Sequence, residues 1–143
     1  MTVHLIKIAA GLSSLSELRE RFESYGYNDP DHGFIVPVPT RNFPKKREAL
    51  LDGGSIYWII KGEIKARTQF VDIREEEDAD GRRLCRLCVL GDLKLVVPTK
   101  RRGFQGWRYL KAGDAPADLD ISEADTDGLD ADMAAELNDL GLL

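Results

Sequence analysis

The hydrophobic positions along this chain change period several times, and each change marks an element. Residues 2–9 (TVHLIKIA) are apolar and β-branched, and read as a strand closed by Gly11. Ser14-Leu15-Ser16-Glu17 has the form of a capping box, in which Ser14 meets free amides and Glu17 reaches back. Leu15, Leu18, Phe22 and Tyr25 recur at helical spacing, which predicts an amphipathic helix over 14–25 with Gly26 just past its end. Residues 28–33 read as a polar loop, and 34–38 (FIVPV) as a short edge strand interrupted by proline. Pro44 near the start and Gly53 past the end bracket a helix of about two turns.

Residues 55–60 (SIYWII) predict a strong strand. From 63 to 75 the pattern alternates, with Ile64, Ala66, Thr68 and Phe70 on one face and Lys65, Arg67 and Gln69 on the other. Asp80-Gly81 is a hairpin signal leading into 82–90 (RRLCRLCVL), and Gly91-Asp92 turns the chain into 93–97 (LKLVV). Residues 104–110 (FQGWRYL) form the last predicted strand. The expected class is α+β: a small, mainly antiparallel β-barrel with one or two short-to-medium helices, because closing a long antiparallel run removes exposed edges.

Charge divides the chain into a domain and an appendage. The formal net charge of −5 argues against an anionic partner until it is placed along the sequence. Residues 1–40 carry −2, residues 41–111 carry +7, and residues 112–143 carry −10 with no basic residue. The expected domain is therefore 1–111, and 112–143 is an acidic tail. Its stretch 112–132 is rich in Ala, Asp and Gly and reads as a disordered linker. Residues 131–140 would place Met133, Leu137 and Leu140 on one side of a short helix. The tail either meets a partner or lies against the basic body of its own or a neighbouring chain.

No stretch reaches the ~18 apolar residues of a membrane span. The N-terminus lacks a basic segment before its apolar run, so a cytoplasmic location is expected. Cys85 and Cys88 make no disulfide framework, and on a strand they point to opposite faces, which suits a buried thiol pair better than zinc. No metal or cofactor is expected.

The basic body carries seven of the eleven aromatic rings. Lys45, Lys46 and Arg47 follow Pro44 at a helix start, with Arg41 nearby; cations there oppose the helix dipole unless an anion joins them. Lys100-Arg101-Arg102-Gly103-Phe104-Gln105-Gly106-Trp107-Arg108-Tyr109 interleaves cations with rings, a pattern suited to phosphates and stacked bases. Trp107 and Tyr109 share a strand face opposite Arg108; the same rings also suit the end of a core. Tyr57 and Trp58 point to opposite faces, so one is core and the other meets solvent or a pocket, where a ring can hold a flipped base. Arg41, Lys45, Lys46, Arg47, Arg101, Arg102 and Arg108 are thus the candidate phosphate contacts. Tyr57, Trp58, Trp107 and Tyr109 are the candidate stacking rings. Lys65, Arg67 and Gln69 are as well explained by the solvated face of a strand. His4 alternates with apolar residues and reads as a strand histidine. No nucleophile–base arrangement and no phosphate-binding glycine loop is present, so no reaction is legible.

The motifs DGGSIYWIIKG and FQGWRYLK, with the order of elements around them, resemble an uncharacterised bacterial family of unknown function over residues 2 to about 118. The opening strand and helix, and Asp52-Gly53-Gly54 leading through Ser55–Ile60 to Gly62-Glu63-Ile64-Lys65-Ala66, more weakly resemble the EVE and ASCH domains of the PUA-like barrels. That likeness implies a pseudo-barrel with a pocket for a nucleotide or an extruded, often modified, base. The expected function is binding of nucleic acid or a nucleotide by a basic, aromatic-lined surface. The alternatives are a nucleotide- or RNA-processing enzyme of ASCH-like type and a protein-interaction adaptor.

Overall fold

The structure is a computed structural model that describes residues 2–104 and 106–119. Strand β1 (Val3–Ile8) leads into helix α1 (Leu15–Tyr25), followed by β2 (Tyr27–Asp29), β3 (Gly33–Thr40), helix α2 (Arg47–Leu51) and β4 (Ser55–Ile60). Strands β5 (Glu63–Glu77), β6 (Arg83–Leu90), β7 (Lys94–Lys100) and β8 (Trp107–Lys111) complete the sheet. The predicted tail helix and residues 120–132 of the predicted linker lie outside the described residues, whereas 112–119, expected to be disordered, form a 3-10 turn at Ala112–Asp114 and an antiparallel bridge between Asp118 and Val96 of β7, because backbone bonds to β7 hold them.

The predicted helix starts as its cap implies. Ser14 is the N-cap, and its hydroxyl accepts the Glu17 amide at 3.2 Å. Glu17 reaches back one residue further than a capping box requires, accepting the Ser13 amide at 3.4 Å and the Ser13 hydroxyl at 2.8 Å. Gly26 ends the helix with extended backbone, φ −76°. Glycine serves here through its missing Cβ, because the Phe34 ring packs on both Gly26 and Gly91.

The predicted loop 28–33 contains a hairpin instead, in which Tyr27–Asp29 pairs with Gly33–Ile35. That short partner explains how β3 tolerates its prolines. Pro37 and Pro39 pair with Cys88 and Arg86 of β6 on one side, and β2 has already ended on the other.

The strands do not close into a barrel. They form one open path, β2-β3-β6-β5-β4-β1-β8, with β7 on the second edge of β5. The cause lies in the 15-residue β5. Its first half pairs with β4 and β7, the register shifts between Phe70 and Asp72, and its second half pairs with β6. Two groups of strands therefore diverge from β5, and the terminal strands β2 and β8 never meet. All named pairs are antiparallel except β1–β4.

Strand β4 is buried throughout, because apolar layers cover both of its faces. Leu5, Leu18, Phe22, Val36, Trp58 and Leu87 belong to the larger layer, beneath α1. Ile6, Tyr57, Ile59, Ile64, Val96 and Leu110 form the smaller one. The predicted alternation in β5 buries Ile64, Ala66, Thr68 and Phe70. A bulge opposite Trp58/Ile59 nevertheless puts Ile64 in the smaller layer, while Ala66 and Phe70 join the larger.

Candidate functional site

The β1–β4 pairing sets Lys7 beside Trp58, and β8 sets Trp107 on the other side of Lys7. Above this row runs α1, whose Leu18, Arg21, Phe22 and Tyr25 recur at helical spacing along one side. Between α1, the end of β1 and the proline stretch of β3 lies a cleft of about 400 Å³. Leu18, Phe22, Val36, Val38 and Trp58 supply apolar walls and floor. Tyr25 stands at its rim with two-thirds of its surface exposed (67%).

The charges of the cleft have one sign. Lys7, Arg21 and Arg86 line it, and among the described residues no Asp or Glu does. Arg21 Nη1 donates to the Ala10 carbonyl at 3.1 Å, which ties its head to the end of β1. Arg86 Nε donates to Glu76 at 3.1 Å, away from the cleft lining. Lys7 is half-buried, and burial pulls its pKa below the ordinary lysine value. A cation desolvated without a carboxylate beside it gains from an anionic ligand.

Most of the residues expected to bind phosphate lie elsewhere. Arg47 Nη2 pairs with Asp72 at 3.0 Å, and its Nε donates to the Ile73 carbonyl. The Lys46 amide is taken by the Tyr109 hydroxyl at 3.0 Å, and the Lys46 ammonium lies 5.1 Å from the Tyr109 ring centroid. One amide at the start of the five-residue α2 is thus occupied, and no side chain caps the helix. Lys45 is exposed, and Arg41 lines a small hollow with Phe43, Glu75 and Arg83. Arg108 stacks 4.5 Å from the Phe104 ring centroid. Arg101 and Arg102 are exposed in a shallow groove with Lys61, Lys100 and Glu63.

The stacking candidates are mostly spent on packing. Tyr57 and Trp58 are both buried at 4% exposure, so neither faces solvent, because β4 has an apolar layer on each side. Trp58 reaches the cleft from its floor; its Nε1–H donates to Thr68 Oγ1 at 3.0 Å, and its ring meets Phe22 edge-on. Trp107 and Tyr109 pack against each other, and Trp107 Nε1–H donates to the Asn42 carbonyl at 3.2 Å. They hold down the loop before α2. Of the eleven predicted contacts, only Trp58 lines the cleft.

Lys7, Arg21, Tyr25 and Arg86, which line the cleft, are not among the candidate contacts singled out from the sequence. Lys7 carried a signal, as a lysine within an otherwise apolar strand beneath a helix. Arg21 and Tyr25, four residues apart on α1, carried another.

A second polar group lies on the other face of the sheet. His4 Nδ1 accepts the Ser55 amide at 3.0 Å, which leaves the proton of the neutral ring on Nε2. Arg67 donates to Ser55 Oγ at 3.0 Å and binds Asp118 through two bonds of 2.7 and 2.8 Å. Burial, then the Arg67 charge, lowers the His4 pKa, and burial raises that of Tyr57. Arg67, one of the predicted outward row, is therefore half-buried and paired. Both thiols are buried too, and burial pushes that of Cys85 up to about 11, far from a nucleophile's range. Among the described residues no helix is long and apolar enough to cross a membrane.

A family model described as a protein of unknown function (DUF1489) matches residues 5–143, so the match runs on through the acidic tail that the sequence resemblance had left out. No curated protein and no solved structure matches the chain.

Proposed function

The chain belongs to the DUF1489 family, and we propose that its cleft binds the base and phosphate of a nucleotide, free or within nucleic acid. One observation carries this reading: three cations, of which Arg86 pairs with Glu76 outside the lining, and among the described residues no carboxylate, line an apolar, aromatic-floored cleft. Its volume of about 400 Å³ lies within the ordinary range for small-molecule sites. Lys7 and the two arginines suit phosphate oxygens, and the exposed Tyr25 ring suits the face of a base. The EVE-like opening of the chain supports the same reading, since the strand and helix that carry the likeness supply Lys7, Arg21, Phe22 and Tyr25. A cytoplasmic location accords with such a ligand.

The test is a titration of the full chain with adenosine and uridine 5′-monophosphates and short RNA and DNA strands, followed by tryptophan fluorescence. Binding should quench Trp58 emission and weaken as salt rises. Lys7→Met should weaken it without unfolding the protein. Absence of binding by every ligand at low salt would remove the reading.

An enzymatic reading of the same cleft draws on Lys7 itself. An amine with depressed proton affinity suits proton transfer. Incubation of the same ligands with the protein, with products separated by chromatography, tests it; unchanged ligand at high protein concentration decides for binding alone.

A further inference from the structure

At the end of β1 the cleft comes near a second basic surface, which lies against the smaller apolar layer on the other face of the sheet. Ile8 is the common element: it lines the cleft, and its side chain packs so closely on Gly103 that a Cβ there would overlap it. Gly103 belongs to a shallow groove that also contains Lys61, Lys100, Arg101 and Arg102. The sheet register fixes the separation. Ile8 pairs with Ile59, Ile59 with Ile64, and Ile64 with Thr99, the neighbour of Lys100. Three steps of ~4.8 Å separate β1 from β7, or roughly 14 Å.

The cations of this groove differ from those along β5 and β6. Arg47, Arg67, Arg74, Arg83 and Arg86 each hold a carboxylate. Among the described residues, Lys61, Lys100, Arg101 and Arg102 hold none, although Glu63 lies directly across from Lys100. The groove is also held in shape. The Arg101 amide donates to the Gly62 carbonyl at 2.9 Å, and Lys61 takes a left-handed turn conformation at φ 51°. Four cations that hold no carboxylate among the described residues, on a fixed backbone one short span from a base-sized cleft, suit a run of phosphates better than a single one.

We infer that the ligand of the cleft is a single-stranded nucleic acid, with one nucleotide in the cleft and its neighbours' phosphates on Lys61, Lys100, Arg101 and Arg102. This rests on the nucleotide reading of the cleft and specifies its ligand class. A single strand fits because a base must leave any duplex to enter the cleft. The span accommodates only a few nucleotides, at the low end of the roughly 4–16 covered by small β-domains.

The experiment measures affinities of the full chain for adenosine 5′-monophosphate, for single-stranded oligoadenylates of increasing length up to about ten nucleotides, and for a duplex of the longest. The affinity for single strands should rise at least tenfold with length and then level off. Its salt slope should steepen by about 0.7 for each phosphate engaged. Arg101→Glu/Arg102→Glu, at exposed positions without ion pairs, should remove the gain with length and leave the mononucleotide affinity unchanged. Lys7→Met should weaken every ligand. Mononucleotide binding with no gain from length overturns the strand inference and leaves the cleft reading standing. Equal or tighter binding of the duplex also overturns the inference. No binding of any ligand overturns both.

Discussion

Lys7 and Trp58 are register partners across the one parallel strand pair, and both line the same cleft. Among the described residues no carboxylate lines the cleft with Lys7. The lowered pKa of Lys7 follows from burial, and the cost falls on the charged form. An anion entering the cleft compensates that cost, which couples the protonation of Lys7 to binding.

The first prediction is a titration. The unfolded chain binds the Lys7 proton more tightly than the folded one. Stability should therefore rise with pH from the lowered folded value up to the ordinary lysine value near ~10.4, with the full penalty below that window. In a spectrum of isotopically methylated lysines, one resonance should titrate below the others, and Lys7→Met should remove it. Nucleotide should move that resonance's pKa upward. A Lys7 signal that titrates with the surface lysines and ignores nucleotide would sink the argument.

The glycine pair of the DGGSIYWIIKG motif predicts a different outcome. Gly53 has φ +83°, and Gly54 lies between the carbonyl oxygens of Leu50 and Val3, where a Cβ would overlap both. Neither carbonyl can swing aside as a side chain would. Gly54→Ala should cost at least the ~1–3 kcal/mol typical of overpacking, and Gly53→Ala about 1–2 kcal/mol. Urea denaturation measures both. A Gly54→Ala protein as stable as the parent would mean that α2 and β1 are not fixed as described.

That motif illustrates how much was legible. Its sequence signalled a turn into a buried strand, and the structure explains both glycines by backbone geometry near α2 and β1. The strand–helix opening, the cap at Ser14 and the meander were readable because each depends on local period or turn chemistry. The open sheet was not. Closure depended on where β5 changes partners, and a bulge between Phe70 and Asp72 leaves no period in the sequence. The burial of both Tyr57 and Trp58 was hidden similarly, since alternation gives opposite faces but does not tell that both are covered. The cleft escaped for a third reason. Cations were sought where they cluster in sequence, at 45–47 and 100–102, whereas Lys7, Arg21 and Arg86 come together only through the β1–β4 and β3–β6 pairings and the docking of α1.

The polar group on the opposite face predicts acid sensitivity in two stages. The folded pKa of His4 is lowered by burial and by Arg67, so the unfolded chain binds its proton more tightly. Stability should hold above the ordinary histidine value near ~6.5 and fall as pH drops from there to the folded value. Asp118 is held below its ordinary value, principally by the hydrogen bond from Arg67. Its contribution is present above ~3.9 and is lost as pH falls through its folded value. Denaturant midpoints across pH should resolve both steps. His4→Gln should remove the upper step and Asp118→Asn the lower. A single step unaffected by His4→Gln would show that protonation of His4 does not strain its bond from Ser55.

Tyr25 separates a binding role from a structural one more cleanly than any other residue of the cleft. Its neighbours Leu18 and Phe22 hold α1 on the core, and truncating either would unfold the helix before it tested a ligand contact. The Tyr25 ring is 67% exposed, and nothing in the fold calls for an aromatic ring there. Tyr25→Ala should change the denaturant midpoint little, since exposed substitutions usually stay within ~0.5 kcal/mol. If the ring stacks on a base, the same change should remove ~1–3 kcal/mol of binding, a loss of roughly fivefold to 150-fold in affinity. Tyr25→Phe should keep most of it, because stacking uses the ring and not the hydroxyl, and Tyr25→Leu should lose it despite similar apolar area. Equal nucleotide affinity for all three variants would place the base elsewhere in the cleft, against Phe22 and the floor.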